Sequence, residues 1–166
     1  MSYPRTIRNF NAFIDATSYF GLVLEAKLPM LDLETANHRG AGMDGTIEID
    51  MGMKAMSAEL TVSEHRPELI RLFGNRQRLV LRPAGLSQVS YSDADTYVYT
   101  IGGLWKTVDP GTLKPGTDAP LKLATAVDYL RIEMNGGELV EIDVENGKRV
   151  IGGTDQMAAL REAMGL

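Results

Sequence analysis

The sequence predicts a mostly β, α+β chain with one internal helix and one C-terminal helix, and three observations carry that prediction. Short runs alternate apolar and polar residues with period two, as in 55–62, where Ser57, Glu59 and Thr61 face one way and Ala58, Leu60 and Val62 the other. Seventeen glycines punctuate 166 residues, many of them between such runs. Only two stretches, 66–73 and 154–165, carry helical spacing with stop signals.

The elements follow in order. Residues 7–14 and 18–31 read as strands joined at Asp15-Ala16-Thr17, the second closed by Pro29 and Leu31. Residues 32–45 are polar and glycine-rich, a loop by composition. Strands follow at 46–51 and 55–62, separated by Gly52-Met53-Lys54. In 66–73, Pro67 suits a first turn, Glu68 complements the helix dipole, and Leu69, Ile70, Leu72 and Phe73 form the apolar stripe ending at Gly74. Strands at 78–82 and 96–106 flank a Ser/Asp-rich loop over 87–95, and a Pro/Gly-bearing stretch occupies 109–120. A long strand over 121–135 turns at Gly136-Gly137 into 138–144, and a short strand lies at 149–151. The closing helix takes Thr154 as N-cap and Asp155 in its first turn. Met157, Leu160 and Met164 are its expected buried stripe, with Gly165 as stop. No linker divides the chain, so 1–166 is expected to be one domain.

Composition excludes several functions. A hydrophobic content of 44% supports one core, and the absence of cysteine removes disulfides and thiolate metal sites. The N-terminus has no apolar signal-peptide core, and no window approaches the ~20 apolar residues of a membrane span, so no membrane anchor is expected. With 17 basic against 22 acidic residues the net charge is −5, and the basic residues are scattered. Specific nucleic-acid binding is therefore disfavoured.

One motif suggests a cofactor. Gly40, Gly42 and Gly45 spell G-x-G-x-x-G, which holds a dinucleotide only between a buried strand and a helix N-terminus. Here the preceding residues 32–37 are polar and the following 46–51 alternate like a strand, so no cofactor is expected. A nucleotide-binding protein using these glycines is nevertheless the alternative function from sequence, beside a small β-domain adaptor. His38 and His65 lack metal-ligand spacing, His38 being expected to bond within its own loop. Asp93 and Asp95 precede a strand rather than completing a calcium loop, and read as solvated. No Gly-x-Ser-x-Gly elbow is present. Catalytic, cofactor and metal residues are all read as none. Met43, Met51, Met53 and Met56 either fill irregular core gaps or form an adaptable contact surface. Glu48, Asp50 and Glu59 lie on polar strand faces, either simply solvated or forming an acidic channel wall.

Two long motifs carry a resemblance. Residues 38–45, His-Arg-Gly-Ala-Gly-Met-Asp-Gly, followed by Asp50-Met51-Gly52-Met53, resemble a loop of the major tail tube proteins of contractile-tailed bacteriophages. Residues 141–157 with the closing Gly165-Leu166 are similar to the ending shared with tubes of R-type phage-tail-like bacteriocins, and Leu28-Pro29 and Val108-Asp109-Pro110-Gly111 fit in the same order. The resemblance covers essentially the whole chain. It implies a β-sandwich or barrel-like tail tube fold and a structural, non-enzymatic subunit. Hexameric rings would stack into a hollow inner tube that is driven through the target envelope and conducts DNA or ions. Implied partners are other copies of itself, the sheath protein, and baseplate and tail terminator proteins, with DNA only in transit. The implied locations are the host bacterial cytoplasm during assembly, then a virion tail or released phage-tail-like particle. A projecting inter-subunit loop over about 32–54 is implied, with contacts by His38, Arg39, Gly40, Gly42, Met43, Asp44, Gly45, Met51 and Met53. Being glycine-rich, it is expected to order by reaching onto a neighbour, and Glu48, Asp50 and Glu59 are the candidates to face the lumen.

Overall fold

In the computed structural model, which describes residues 3–166, two long strands organise everything else. The first strands are β1 (Thr6–Ile14), β2 (Thr17–Ser18) and β3 (Val23–Lys27). A hairpin of β4 (Leu33–His38) and β5 (Ile47–Met53) follows, then β6 (Met56–Val62) and the one-turn helix α1 (Pro67–Ile70). Next come β7 (Leu79–Leu86), β8 (Ala94–Asp109), β9 (Leu121–Met134) and β10 (Gly137–Asp143). The chain closes with β11 (Lys148–Ile151), β12 (Thr154–Asp155) and α2 (Ala158–Ala163).

The ten-stranded antiparallel sheet runs β12-β11-β10-β9-β8-β7-β1-β2, with β6 and β3 branching from β9. Leu121–Val127 of β9 pairs with β6, while Tyr129–Met134 pairs with β10. The switch lies opposite a register shift at Gly102/Gly103 in β8, where the paired strands bend. A Cβ on Gly103 would fall 2.0 Å from the Ala126 carbonyl oxygen, so glycine is required there by close backbone approach. The bend folds the sheet on itself. Ala26 of β3 and Leu28 face Ile7 and Phe10 of β1 and Leu81 and Pro83 of β7 across a shallow apolar space. This is the predicted β-rich class with one internal and one C-terminal helix.

The core between the layers contains Trp105, Leu60, Leu79, Leu81, Ile101, Leu121, Leu123 and Leu130, all essentially inaccessible. Its polar atoms are paired: Trp105 Nε1–H donates to the Gln77 carbonyl at 3.1 Å, and Thr125 Oγ1–H to the Leu104 carbonyl at 3.1 Å. Alternation placed Ala58, Leu60 and Val62 inward, and all three are buried.

Several elements differ from expectation. The strand expected over 18–31 is broken: Gly21 at φ +78° turns the chain, Leu22 N–H donates to the Tyr19 carbonyl at 3.1 Å, and pairing resumes only at Val23. The polar 32–45 segment is not all loop, because Leu33–His38 pairs with β5. Every residue of β4 is exposed, so no burial pattern advertised the strand. The helix at 66–73 is regular only over Pro67–Ile70. Leu69 and Leu72 are buried while Ile70 and Phe73 are exposed, a narrower stripe than expected. Asp95 is not solvated; it is buried at the start of β8, bonded to Arg5 at 2.9 Å and to Asn135 Nδ2–H at 3.2 Å.

The C-terminal helix requires the largest correction. Thr154 is not its N-cap; it pairs with Ile151 in β12, and the helix starts at Ala158. Asp155 instead accepts from the Met157 N–H at 3.0 Å, an Asx-type turn that sets up the first helical turn. Nor is the stripe buried: Met157 is half-buried, and Leu160 and Met164 are 51% and 58% exposed. Leu160→Asp is therefore expected to change the stability of the unassembled subunit by no more than about 0.5 kcal/mol, as surface substitutions do. Urea unfolding of the isolated protein checks this, and a midpoint drop equivalent to several kcal/mol would mean the helix docks more deeply.

Candidate assembly interface

The glycine triplet forms the tip of the β4–β5 hairpin. Met43 N–H donates to the Gly40 carbonyl at 3.2 Å, closing a turn whose third position, Gly42, has φ +87°. That is the backbone a type II turn demands of glycine. A Cβ at Gly45 would meet nothing within 4 Å, and one at Gly40 would make only ordinary contacts with His38 and Met43. The residues before Gly40 do form a strand, contrary to the polar-loop reading, but it is exposed, and the chain leaves Gly45 as another strand, β5. Among the described residues no helix N-terminus faces the glycines, so the geometry a dinucleotide needs is missing there. Arg39 Nε–H reaches the Met43 carbonyl at 3.4 Å, and Gly40 N–H donates to Met43 Sδ at 3.1 Å. His38 pairs with Ile47 through the strand register, and its ring makes no hydrogen bond among the described residues, contrary to the loop bond expected of it. Asp44 is exposed.

The base is pinned more firmly than a glycine-rich segment suggests. Gly52 at φ +117° makes a bulge in which Met51 and Gly52 lie between the pairs Thr35–Asp50 and Leu33–Met53. Asp50 Oδ1 accepts the Gly52 N–H at 2.8 Å. Lys54 closes the neck twice, through its N–H to the Asp32 carbonyl at 3.0 Å and its ammonium to the Asp32 carboxylate at 3.1 Å. The segment thus carries its own strand pairing.

The two hairpin faces differ. Thr35, Glu48 and Asp50 share the polar one: Thr35 Oγ1–H donates to Glu48 at 3.3 Å, and Asp50 Oδ2 takes a charge-assisted hydrogen bond from Arg149 at 2.6 Å. Ile47, Ile49 and Met51 share the other and are 52%, 44% and 62% exposed. The candidate acidic residues are not equivalent. Asp50 is occupied by Arg149, Glu48 belongs to the same hairpin face, and Glu59 stands on β6 of the other sheet, in register with Lys27 and Ala124. The methionines divide likewise: Met56 is core, Met53 packs against it, Met43 folds onto its own turn, and Met51 is exposed. Both readings of that cluster therefore apply, to different residues. His65 Nε2–H donates to the Ala119 carbonyl at 2.7 Å, bracing a loop. Among the described residues, no group of three or more His, Asp or Glu could hold a metal ion.

Arg149 is the residue that sequence reasoning missed. It occupies an inward position of β11, is 9% exposed, and joins residues 99 positions apart. The only signal in the sequence was an arginine leading an apolar pair, Val150-Ile151, in a short strand. Beside it, Arg161 clamps α2 to the preceding turn, donating to Asp155 at 2.5 Å and to the Gly147 carbonyl at 2.9 Å. The Arg149 hydrogen bond, and then the Gly52 N–H, hold the Asp50 carboxyl below the ordinary aspartate range. The Arg161 bond and then the Met157 N–H do the same for Asp155.

Because both folded-state values are depressed, the stabilisation they provide is present above the unfolded aspartate pKa of about 4. It is lost as pH falls through the lower, folded values. Acidification from about pH 5 to pH 3 is expected to loosen the hairpin base and the 147–161 segment first. Hydrogen exchange across that range should show loss of protection there before β8 and β9. In Asp50→Asn, the hairpin part of that acid step should vanish.

An apolar groove of about 370 Å³ opens at the hairpin base, lined by Met53, Met56, Val127, Ile142, Val144 and Met157 and rimmed by Lys54, Lys148 and Arg149.

Comparison with known proteins agrees with this architecture. The family described as "Phage tail tube protein FII" matches residues 4–165. The tail tube protein of Escherichia phage P2 is 31% identical over 172 aligned positions that span 100% of both chains. The major tail tube protein of Serratia phage KSP20 is 28% identical, covering 88% of this chain and 86% of its own. Among solved structures, a chain of the six-fold symmetrised cryo-EM structure of the anti-feeding prophage baseplate superposes with a TM-score of 0.52 at 16% identity. The match spans 82% of this chain and 98% of that one, a likeness of fold. With a family match over nearly every residue and a relative aligned end to end, the chain belongs to the phage tail tube protein FII family.

Proposed function

We propose that this protein is a structural subunit of the inner tube of a contractile tail, in which hexameric rings stack into a hollow conduit for DNA or ions. The observation that supports it best is the orientation of the hairpin. Its polar side is tied to its own body by Asp50–Arg149, while Ile47, Ile49 and Met51 are exposed on the other side. A soluble protein that turns an ordered apolar face outward is built for contact. The open outer edges of β3 and of the two-stranded hairpin sheet offer unpaired backbone groups that a neighbour can satisfy. A closed ring needs a heterologous contact, one surface complementing a different one, and this asymmetric subunit has both kinds.

In this reading Glu48 and Glu59 are the free acidic candidates for the lumen, since Asp50 is committed to Arg149. Like charge would let DNA pass without sticking over the ~8 Å screening length of physiological salt. The sheath lies outside the tube, and baseplate and terminator proteins cap its ends. Assembly takes place in the bacterial host, ahead of a virion or a released tail-like particle.

Electron microscopy of the purified, concentrated protein tests the proposal. Six-fold rings or hollow rods are expected. Monodisperse monomers at every concentration, with or without a purified baseplate seed, would overturn it.

A further inference from the structure

We infer that Asn146-Gly147 is a site of spontaneous deamidation, and that its conversion releases the C-terminal helix α2 from the body of the subunit. The reaction needs no assembly, so it stands or falls apart from the tube reading above.

The chain contains two Asn-Gly sequences, Asn135-Gly136 and Asn146-Gly147. In such a pair the glycine nitrogen can attack the asparagine Cγ, because no side chain on the glycine blocks the approach. The N–Cγ bond forms, the Cγ–Nδ2 bond breaks, and ammonia leaves with the glycine N–H proton, closing a succinimide ring. Water then opens either ring carbonyl, giving aspartate by one route and isoaspartate by the other. The balance is asparagine plus water to acid plus ammonia, with no oxidant or reductant.

The two sites are held differently. Asn135 Oδ1 accepts the Thr96 N–H at 2.9 Å, its Nδ2–H donates to Asp95 at 3.2 Å, and its own N–H donates to the Thr96 carbonyl at 2.8 Å. Swinging that Cγ onto Gly136 would strip partners on another strand, one of them a carboxylate residue only 6% exposed. Asn146 is exposed in the turn between β10 and β11, and its amide has one partner among the described residues, Asp143 at 2.7 Å. That partner belongs to the same turn and moves with it. The Gly147 N–H reaches the Val144 carbonyl at 3.3 Å, a long hydrogen bond that yields the nitrogen readily.

The neighbours decide what conversion does. An aspartate at 146 puts an acceptor where the Nδ2 donor stood 2.7 Å from the Asp143 carboxylate, so a hydrogen bond becomes a like-charge contact. The isoaspartate carries the main chain through Cγ, which lengthens it by one carbon just before Gly147. The Gly147 carbonyl accepts from Arg161 Nη1 at 2.9 Å, one of the two Arg161 bonds that clamp α2. Shifting that carbonyl withdraws half of the clamp. The helix has little else to hold it, since none of its residues is buried.

Purified protein held in mildly alkaline buffer, then digested and mapped by mass spectrometry, tests the site, with isoaspartate marked by an isoaspartyl methyltransferase. The peptide spanning 146 should gain the mass difference between amide and acid and accept methyl groups. The peptide spanning 135 should keep its amide until the protein is unfolded in urea. Hydrogen exchange over 158–163 should become several-fold faster in the aged protein, and in Asn146→Asp without ageing. Asn146→Ser should keep α2 protected through the same incubation.

An amide at 146 that survives in folded protein, while urea-unfolded protein loses it, overturns the site. So does conversion of Asn135 in the folded protein at an equal rate. Deamidated protein whose α2 exchanges like fresh protein overturns the release, as does Asn146→Ser that loosens just as fast on ageing.

Discussion

Replacing residues 34–52 by an Asn-Gly turn is expected to yield a folded, soluble protein that forms no tubes at any concentration. The excision is structurally mild. Leu33 lies opposite Met53, and Lys54 N–H bonds the Asp32 carbonyl at 3.0 Å, so the cut ends already stand at hairpin distance. An Asn-Gly pair supplies the positive φ values that a two-residue turn needs. No residue from 34 to 52 belongs to the buried core, and Met53, which packs against it, is kept. The cost to the subunit falls on Arg149, which loses Asp50, and Arg149→Met in the same background removes that unpaired guanidinium. Cooperative thermal unfolding by circular dichroism should therefore persist, while electron micrographs show neither rods nor stacked rings. Normal tubes from the excised protein would remove the hairpin from the assembly mechanism.

The second large effect is expected inside one subunit. Gly103→Val should prevent the protein from folding to a soluble state, because the first side-chain carbon alone would lie 2.0 Å from the Ala126 carbonyl oxygen and 2.8 Å from its carbon. Both atoms are backbone of the paired strand and cannot rotate away. The only relief is to part β8 from β9 at the bend. That pairing holds Trp105, Ile101 and Leu130 in the core, so local separation becomes global loss. Gly102→Ala is the graded control: its Cβ would stand 3.2 Å from the Tyr129 Cβ, a contact that a few tenths of an ångström relieves. Expression and solubility, followed by urea unfolding of whatever is soluble, order the pair. A Gly103→Val protein with wild-type stability would show that the bend tolerates a side chain.

Much of this architecture was legible in the residues because burial leaves a period-two trace. Strands β1, β6, β8, β9 and β10 stand close to where they were expected, while the hairpin turn expected at Gly136-Gly137 falls one residue earlier, at Asn135-Gly136, both at positive φ. The illegible parts have a common physical cause. β4 is exposed along its whole length and is held by backbone pairing to β5, which side-chain hydropathy does not record. The helix α2 carries an apolar stripe that implies burial, yet Leu160 and Met164 are open in the subunit, since hydropathy alone does not say which molecule covers a face. Arg149 was invisible for a third reason. Its value comes from Asp50, 99 residues away, and pairings at such separation exist only once the fold brings them together. The glycine fingerprint failed informatively, because its spacing was right and its neighbours were wrong: only Gly42 uses glycine's backbone freedom, and it does so to turn a hairpin.

For the tube subunit proposed above, the long pair β8–β9 has a mechanical meaning. These strands of 16 and 14 residues run through the bend and belong to both layers, so the layers are joined by continuous chain and not by a hinge. Load directed along the strands must shear many parallel hydrogen bonds at once, whereas load across a sheet edge breaks them one at a time. A subunit built on such a spine resists force most along that pair, and it should yield first at its short margins, β2 and β12.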